Sequence, residues 1–181
     1  MSNKINIGII LGSTREGRVS PQVGAWVKTL ADQKGNANYE IVDVKDYKLP
    51  LLGESSDVSG ITKWNKKLAE LDGFVFVTAE YNHSIPASLK NALDSAKDAW
   101  NNKAAGIVSY GSAGGARASE HLRGILGELQ IADVRTHVLL SLFTDFENYS
   151  KFKPMDLHQN NMNGMLDQLV LWGTALKQVR S

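Results

Sequence analysis

The 181-residue sequence contains no cysteine. Disulfide bonds, thiolate nucleophiles, cysteine-ligated zinc or iron–sulfur clusters and CxxC redox chemistry are therefore excluded. If this protein transfers electrons, a bound organic cofactor has to carry them.

The chain also lacks an excess of either charge, with 20 Lys and Arg against 19 Asp and Glu. Nucleic-acid-binding domains usually show a basic excess, so we expect no nucleic-acid partner. No apolar run approaches the ~18 residues of a membrane span. Residues 1–4 lead directly into a short apolar run without the cleavage site of a secretory signal, so we expect a cytoplasmic protein without a membrane partner.

What the sequence does contain is an alternation of short apolar runs and helical patterns, without repeats or low-complexity tracts. The length predicts one domain over residues 1–181. Strands that alternate with helices are typical of an α/β domain with a parallel sheet. We predict strands at 5–11, 39–44, 74–78, 105–109 and 135–140, a first helix with Ser20 as its N-cap followed by Pro21, and further helices at 62–71, 87–100, 116–129 and 162–179.

Five strands of this kind favour a three-layer doubly wound fold, whose commonest sheet order is 2-1-3-4-5. In that order the chain reverses direction between strands 1 and 3, and a crevice opens beyond the carboxyl ends of the strands. The loops after strands 1, 3 and 4 are therefore the places to look for a site.

The loop after strand 1 has the composition of a phosphate site. Glycines allow close approach of backbone N–H groups, arginines and hydroxyls donate hydrogen bonds, and the following helix points its positive end at the loop. A Walker A loop is excluded because Arg18-Val19 replaces the required Lys-Ser/Thr, and an ordinary turn with solvated arginines is the alternative. The predicted cofactor-binding residues here are Gly12, Ser13, Thr14, Arg15, Arg18, Val19 and Ser20.

The loop after strand 3 contains Glu80, Tyr81 and Asn82, which are suited to border a planar ligand. Tyr81 offers a flat surface, and Asn82 an amide that donates and accepts. The alternative is that Tyr81 is a half-buried core residue with its hydroxyl in water. His83 has no second metal-type ligand nearby, so we predict no metal site.

The loop after strand 4 is rich in glycine, with Ser112, Gly114 and Gly115 on the predicted crevice rim. Glycines at such spacing indicate a tight turn or a close backbone approach to a ligand. A plain glycine-rich turn explains this segment equally well on its own.

The combination of Gly12-Ser13-Thr14-Arg15 with the segment from Glu80 to Asp94 resembles the NADPH-dependent FMN reductase family. These are flavodoxin-like quinone, azo-dye and chromate reductases. The runs 43–54 and 110–117 also fit its pattern, and the resemblance covers about residues 5–130. Two positions differ from many members, which have Pro at position 79, here Ala, and Ser at position 18, here Arg.

The resemblance implies FMN in the crevice and NADPH or NADH as the donor. Carried over, Ser13, Arg15, Arg18 and Ser20 would bind the phosphate and ribityl chain. Glu80, Tyr81 and Asn82 would border the isoalloxazine ring, largely through backbone atoms. Ser112, Gly114 and Gly115 would close its pyrimidine side.

The long connection 141–161 contains four aromatic residues, Phe143, Phe146, Tyr149 and Phe152. Connections of this length are usually functional or mobile. This connection could form a flap that packs its aromatic residues on its own domain, or it could contact a second subunit. The family resemblance favours a homodimer or a dimer of dimers, with the flavin near the subunit boundary.

We therefore predict an FMN-dependent oxidoreductase that passes hydride from NAD(P)H to quinone, azo, flavin or metal-oxyanion acceptors by ping-pong chemistry. Because the flavin supplies the reactivity, no catalytic side chain is assigned. The alternative in a different class is a non-enzymatic electron carrier, although such carriers tend to be strongly acidic, unlike this chain. A phosphoryl-transfer enzyme is the third possibility, but this chain lacks the Lys and the acidic metal ligands that such chemistry normally needs.

Overall fold

The computed structural model describes residues 4–180, which form a parallel β-sheet between two layers of helices. The strands pair in the order 2-1-3-4, and two short strands share the fifth position beside strand 4. The predicted doubly wound fold and sheet order are confirmed. The strands are β1 (Asn6–Leu11), β2 (Asn38–Asp43), β3 (Gly73–Ala79), β4 (Lys103–Gly111), β5 (Ile131–Asp133) and β6 (Val138–Ser141).

Helices cover both faces of the sheet, which explains why its central strands are apolar without alternation. Every residue of β3 and β4 is buried. The helices are α1 (Ser20–Lys34), α2 (Ser59–Ala69), α3 (Ala87–Asp94), α4 (Ala116–Glu128) and α5 (His158–Val179). α1 and α5 pack on one face, and α2, α3 and α4 on the other. No helix in the described range 4–180 is both long and apolar enough to cross a membrane.

The fifth strand differs from the prediction of one strand at 135–140. β5 pairs with the start of β4 and β6 with its end, while residues 135–137 leave the ladder. Gln168 of α5 accepts a hydrogen bond from the Thr136 N–H and donates to its hydroxyl, and Arg123 of α4 donates to the Arg135 carbonyl. Side chains from two distant helices thus replace the ladder bonds, which no local pattern reveals.

The predicted helix 87–100 is also shorter than expected. α3 ends at Asp94, and residues 98–100 form a separate 3₁₀ turn. The Ser95 hydroxyl bonds to the Asn91 carbonyl at 2.7 Å, and the Trp100 indole donates to the Leu93 carbonyl at 3.0 Å. These side chains take over the last carbonyls of α3 and end it while Trp100 enters the core.

The start of α1 corrects a further detail. Ser20 was expected as the N-cap, but Val19 occupies that position and Ser20 is the first helical residue, fully buried. No side chain caps this end, and Pro21 lies in the first turn as predicted. The N-terminal N–H groups of the helix are therefore not covered by a capping side chain.

The connection after β6 folds into a small hairpin of β7 (Phe146–Glu147) and β8 (Lys151–Phe152). The buried Asp145 holds the segment together, because it accepts hydrogen bonds from the N–H groups of Ser141 and Met155 and pairs with His158 Nε2 at 2.9 Å. Gln22 of α1 bonds to the backbone of Ser150 and Phe152. Phe146 is buried and Phe152 packs on Trp26 of α1, as the flap alternative predicts, whereas Phe143 and Tyr149 are exposed.

Candidate functional site

The loops after β1, β3 and β4 meet at the carboxyl edge of the sheet. Ser13 Oγ and Arg15 Nε each lie 3.2 Å from the Tyr81 hydroxyl oxygen, which joins the first loop to the second. The Glu80 N–H donates to the Tyr110 carbonyl at 2.9 Å, which joins the second loop to the end of β4. The structure thus brings the three predicted segments together.

The loop after β1 keeps backbone donors available. Within residues 4–180, Thr14, Glu16 and Gly17 form no hydrogen bond. Gly17 has a φ of 65°, which glycine adopts without strain. Uncommitted backbone N–H groups beside a helix N-terminus have the chemistry that suits an anion.

Arg15 and Arg18 have different surroundings in this loop. Arg15 is exposed, and the only partner its side chain has in the described chain is the Tyr81 hydroxyl. Arg18 is largely buried, pairs through both terminal nitrogens with the Asp43 carboxylate, and donates to the Ser13 carbonyl at 2.5 Å. The hydrogen bonds to Asp43 raise the pKa of Arg18. Its charge is therefore already neutralised by Asp43.

Ser20 lies deeper than its predicted role suggests. Its Oγ is buried and meets no partner within hydrogen-bonding geometry. The nearby Tyr110 hydroxyl is also buried, and this burial raises the pKa of Tyr110, against a smaller lowering effect of Ser20. The Ser20 hydroxyl thus lies near the Tyr110 hydroxyl beneath the loop rather than on the open surface of the loop.

The loop after β3 is a tight two-residue turn. The N–H and C=O groups of Tyr81 and Ser84 bond to each other at 2.9 and 3.1 Å, and Asn82 and His83 between them have φ of 48° and 68°. Such a turn usually carries glycine in its second central position, so His83 is held in a strained conformation. Tyr81 is 39% exposed and its hydroxyl is hydrogen-bonded, so it is not a core residue with its hydroxyl in water.

The Glu80 side chain binds the N-terminus of α4. Its carboxylate accepts from Arg117 Nε at 2.6 Å and from the backbone N–H of Arg117 at 3.0 Å. Burial raises the pKa of Glu80, but the Arg117 and Ala118 hydrogen bonds outweigh it and the net shift is downward. An anion at a helix N-terminus is favourable, so the Glu80 carboxylate fixes the second loop to the third.

The glycines after β4 form the tight turn that the sequence indicated. Gly114 and Gly115 have φ of 68° and 73°. A Cβ on Gly115 would lie 2.7 Å from both the Ser109 Cβ and the Tyr110 nitrogen. This glycine is therefore required for packing against β4, while Ser112 on the same turn is exposed.

Sequence reasoning gave no role to Asp43, Tyr110 or Arg117. Asp43 ends β2 in register with Leu11 at the end of β1. This register places the Asp43 carboxylate near the first loop. That signal was available from the predicted sheet order. The pairing of Arg117 with Glu80 depends on how α4 begins after a turn, and the sequence carries no comparable signal for it.

Comparison with known proteins decides the family. The sequence profile described as NADPH-dependent FMN reductase matches residues 5–145. The chain belongs to this family. It is 38% identical over 146 residues to an NAD(P)H-dependent FMN reductase of Schizosaccharomyces pombe. The aligned region covers 76% of this chain and 73% of that protein. It is 33% identical over 134 residues to a quinone reductase of Escherichia coli, which covers 70% and 71%.

The fold of this family member is also found among solved structures. The flavoenzyme NAD(P)H:(acceptor) oxidoreductase FerB of Paracoccus denitrificans superposes with a TM-score of 0.77, over 94% of this chain and 98% of that chain. At 18% identity this likeness establishes the flavodoxin-like fold.

Proposed function

We propose that this FMN reductase family member is an FMN-dependent oxidoreductase that uses NAD(P)H as electron donor and a quinone as acceptor. The observation that carries this proposal is the contact of Ser13 and Arg15 with the Tyr81 hydroxyl, beside a loop with uncommitted N–H groups. It joins an anion site to an aromatic surface at the edge of the sheet where such folds bind ligands.

The residues of this edge fit FMN. Thr14, Arg15 and the free N–H groups of the first loop would hold the phosphate, since they offer charge-assisted and backbone donors at the positive end of α1. Gly12, Ser13 and Val19 would support this contact, and Ser20 would reach it only if its buried hydroxyl became accessible. Arg18, already paired with Asp43, would fix the loop rather than contact the phosphate.

The flat part of the cofactor would lie along the other two loops. The backbones of Glu80 and Asn82 and the ring of Tyr81 would border one side, and Ser112, Gly114 and Gly115 the other. Backbone N–H groups directed at one edge of the ring would favour negative charge on it. When bound, FMN supplies the hydride and electron chemistry that the side chains lack.

The chain's contribution to turnover would be to bind donor and acceptor in succession at one place. We propose that NAD(P)H and the acceptor use the same exposed side of the Tyr81 turn, so that NAD(P)H has to leave before the acceptor enters, which is ping-pong behaviour. The Escherichia coli relative supports a quinone acceptor. Azo dyes, flavins and metal oxyanions are further candidates of the family resemblance, and the site is proposed to operate in the cytoplasm.

Rapid mixing with NADPH distinguishes this enzyme from an electron carrier on the same fold. The FMN-loaded protein is mixed with millimolar NADPH without oxygen, and the flavin absorbance is followed. We expect bleaching, then recovery when a quinone is added. A flavin that stays oxidised would favour the carrier.

We also propose that the protein is a homodimer or a dimer of dimers. Phe143 and Tyr149 form an edge-to-face pair with 5.9 Å between ring centroids, and they are 65% and 63% exposed. Leu142 donates to the Gly111 carbonyl, so this pair lies beside the third loop of the site. Aromatic residues are enriched in interfaces. Light scattering after size exclusion tests this, and a monomer would contradict it.

A further inference from the structure

A cavity of about 180 Å³ lies directly beside the loop after β1, on the side of the sheet that carries α3. Thr14 is part of this loop and also lines the cavity, so the cavity adjoins the proposed phosphate site. The other lining residues come from the segment after β2 and from the start of α3; they are Val44, Lys45, Lys48, Leu49, Ser88 and Asn91.

The charge of this cavity is uncompensated. Lys45 and Lys48 are exposed, and in the described range 4–180 neither side-chain ammonium takes part in a hydrogen bond or ion pair. No acidic side chain lines the cavity. Asp43 is paired with Arg18, and Asp46, which follows Lys45 in the sequence, lines a neighbouring cavity together with Lys48.

The polar walls are fixed by bonds to the backbone. Ser88 Oγ donates to the Gly12 carbonyl at 2.7 Å, and Asn91 Nδ2 donates to the Pro50 carbonyl at 2.9 Å. The Leu52 N–H donates to the Asn91 side-chain oxygen Oδ1 at 3.2 Å. These bonds hold α3 against the loop after β1 and the segment after β2, while the Thr14 hydroxyl has no hydrogen-bond partner within residues 4–180.

We propose that this cavity binds the 2′-phosphate of NADPH and makes the protein prefer NADPH to NADH. Two ammonium groups match a phosphate monoester, which carries close to two negative charges at neutral pH. The cavity is smaller than the roughly 300–1,000 Å³ that whole ligands occupy, so it suits one phosphate group rather than a complete nucleotide. The inference rests on the proposed use of NAD(P)H.

The direct test is calorimetric binding of 2′,5′-ADP and 5′-AMP, which differ only in the 2′-phosphate, to the FMN-loaded protein. We expect 2′,5′-ADP to bind at least about tenfold more tightly, the effect of one or more charge-assisted contacts. The Lys45→Gln/Lys48→Gln double variant is expected to lose this preference. Lys45→Arg/Lys48→Arg is expected to keep most of it, since the charge is retained.

Lys66→Gln serves as the matched control, because Lys66 is an exposed lysine of α2 that does not line the cavity. It is expected to keep the full preference. In turnover, the ratio of kcat/KM for NADPH to that for NADH should fall about tenfold in the double Gln variant and not in the control.

Equal binding of both nucleotides by the wild type, or a preference that survives in the double Gln variant, would overturn the assignment. An equal loss of kcat/KM for NADPH and NADH would overturn it as well. These results are separable from a failure of the proposed function, since flavin absorbance reports cofactor loading independently of either nucleotide.

Discussion

Two arginines three positions apart in the loop after β1 have different roles. Arg15 is exposed and contacts the Tyr81 hydroxyl, whereas Arg18 is largely buried against Asp43. Exposure and pairing therefore separate a residue available to a ligand from one that fixes the loop. The two positions are directly comparable by mutation.

Arg15→Ala is expected to weaken FMN binding by about 1.5–3 kcal/mol, because a charge-assisted hydrogen bond is lost. The free energy of unfolding should change little, since the side chain is exposed. Fluorescence titration of the apoprotein with FMN measures the effect. Arg135→Ala, which removes an exposed arginine outside the three loops, is the control, and an unchanged FMN affinity in Arg15→Ala would show that the phosphate lies elsewhere.

Arg18→Ala is expected to act on stability instead. Removing one partner of a buried ion pair leaves the Asp43 carboxylate uncompensated, which costs about 3 kcal/mol of unfolding free energy. Urea denaturation measures it. The double variant Arg18→Met/Asp43→Leu should recover most of the loss, and a single variant as stable as wild type would contradict the structural role given to this pair.

The turn between β4 and α4 depends on one glycine. Gly115→Ala would place a Cβ 2.7 Å from backbone and side-chain atoms of β4, at a φ of 73° that alanine rarely adopts. We expect a loss of at least about 2 kcal/mol in unfolding free energy, together with weaker FMN binding. Gly127→Ala, in open space on α4, should be neutral or stabilising by up to about 1 kcal/mol. Similar melting temperatures for the two variants would count against this account.

At the start of β4, Lys103 is almost completely buried, and its Nζ donates to the Leu68 carbonyl at 2.6 Å. Burial lowers the pKa of Lys103 to about 8. In the unfolded chain it is near 10.4, so the folded state disfavours the charged form by about 3 kcal/mol. The penalty is complete below pH 8 and disappears as the pH rises towards 10.4.

Lys103→Met should therefore gain stability relative to the wild type near neutral pH, and this advantage should shrink as the pH rises from 8 to 10. Urea unfolding of both proteins at pH 7 and pH 10 measures the difference. An advantage that is the same at both pH values would show that Lys103 titrates normally in the folded protein.

For the molecule as a whole, the sheet order and the convergence of three loops could be predicted because they follow from hydrophobic periodicity and one topological rule. The split of the fifth strand could not, because Gln168 and Arg123 come from distant helices. Likewise, the sequence offers equal reason to place Arg15 and Arg18 at a phosphate. The different roles of the two arginines follow only from the position of Asp43 in the structure, where it pairs with Arg18.

The central claim is that this carboxyl edge binds FMN by its phosphate. The most direct measurement compares FMN with riboflavin, which lacks only the phosphate, by titrating each into the apoprotein and following flavin fluorescence. We expect one FMN per chain and riboflavin binding weaker by about a hundredfold, the effect of two charge-assisted contacts. Equal affinity for the two flavins, or no uptake of FMN, would contradict the account.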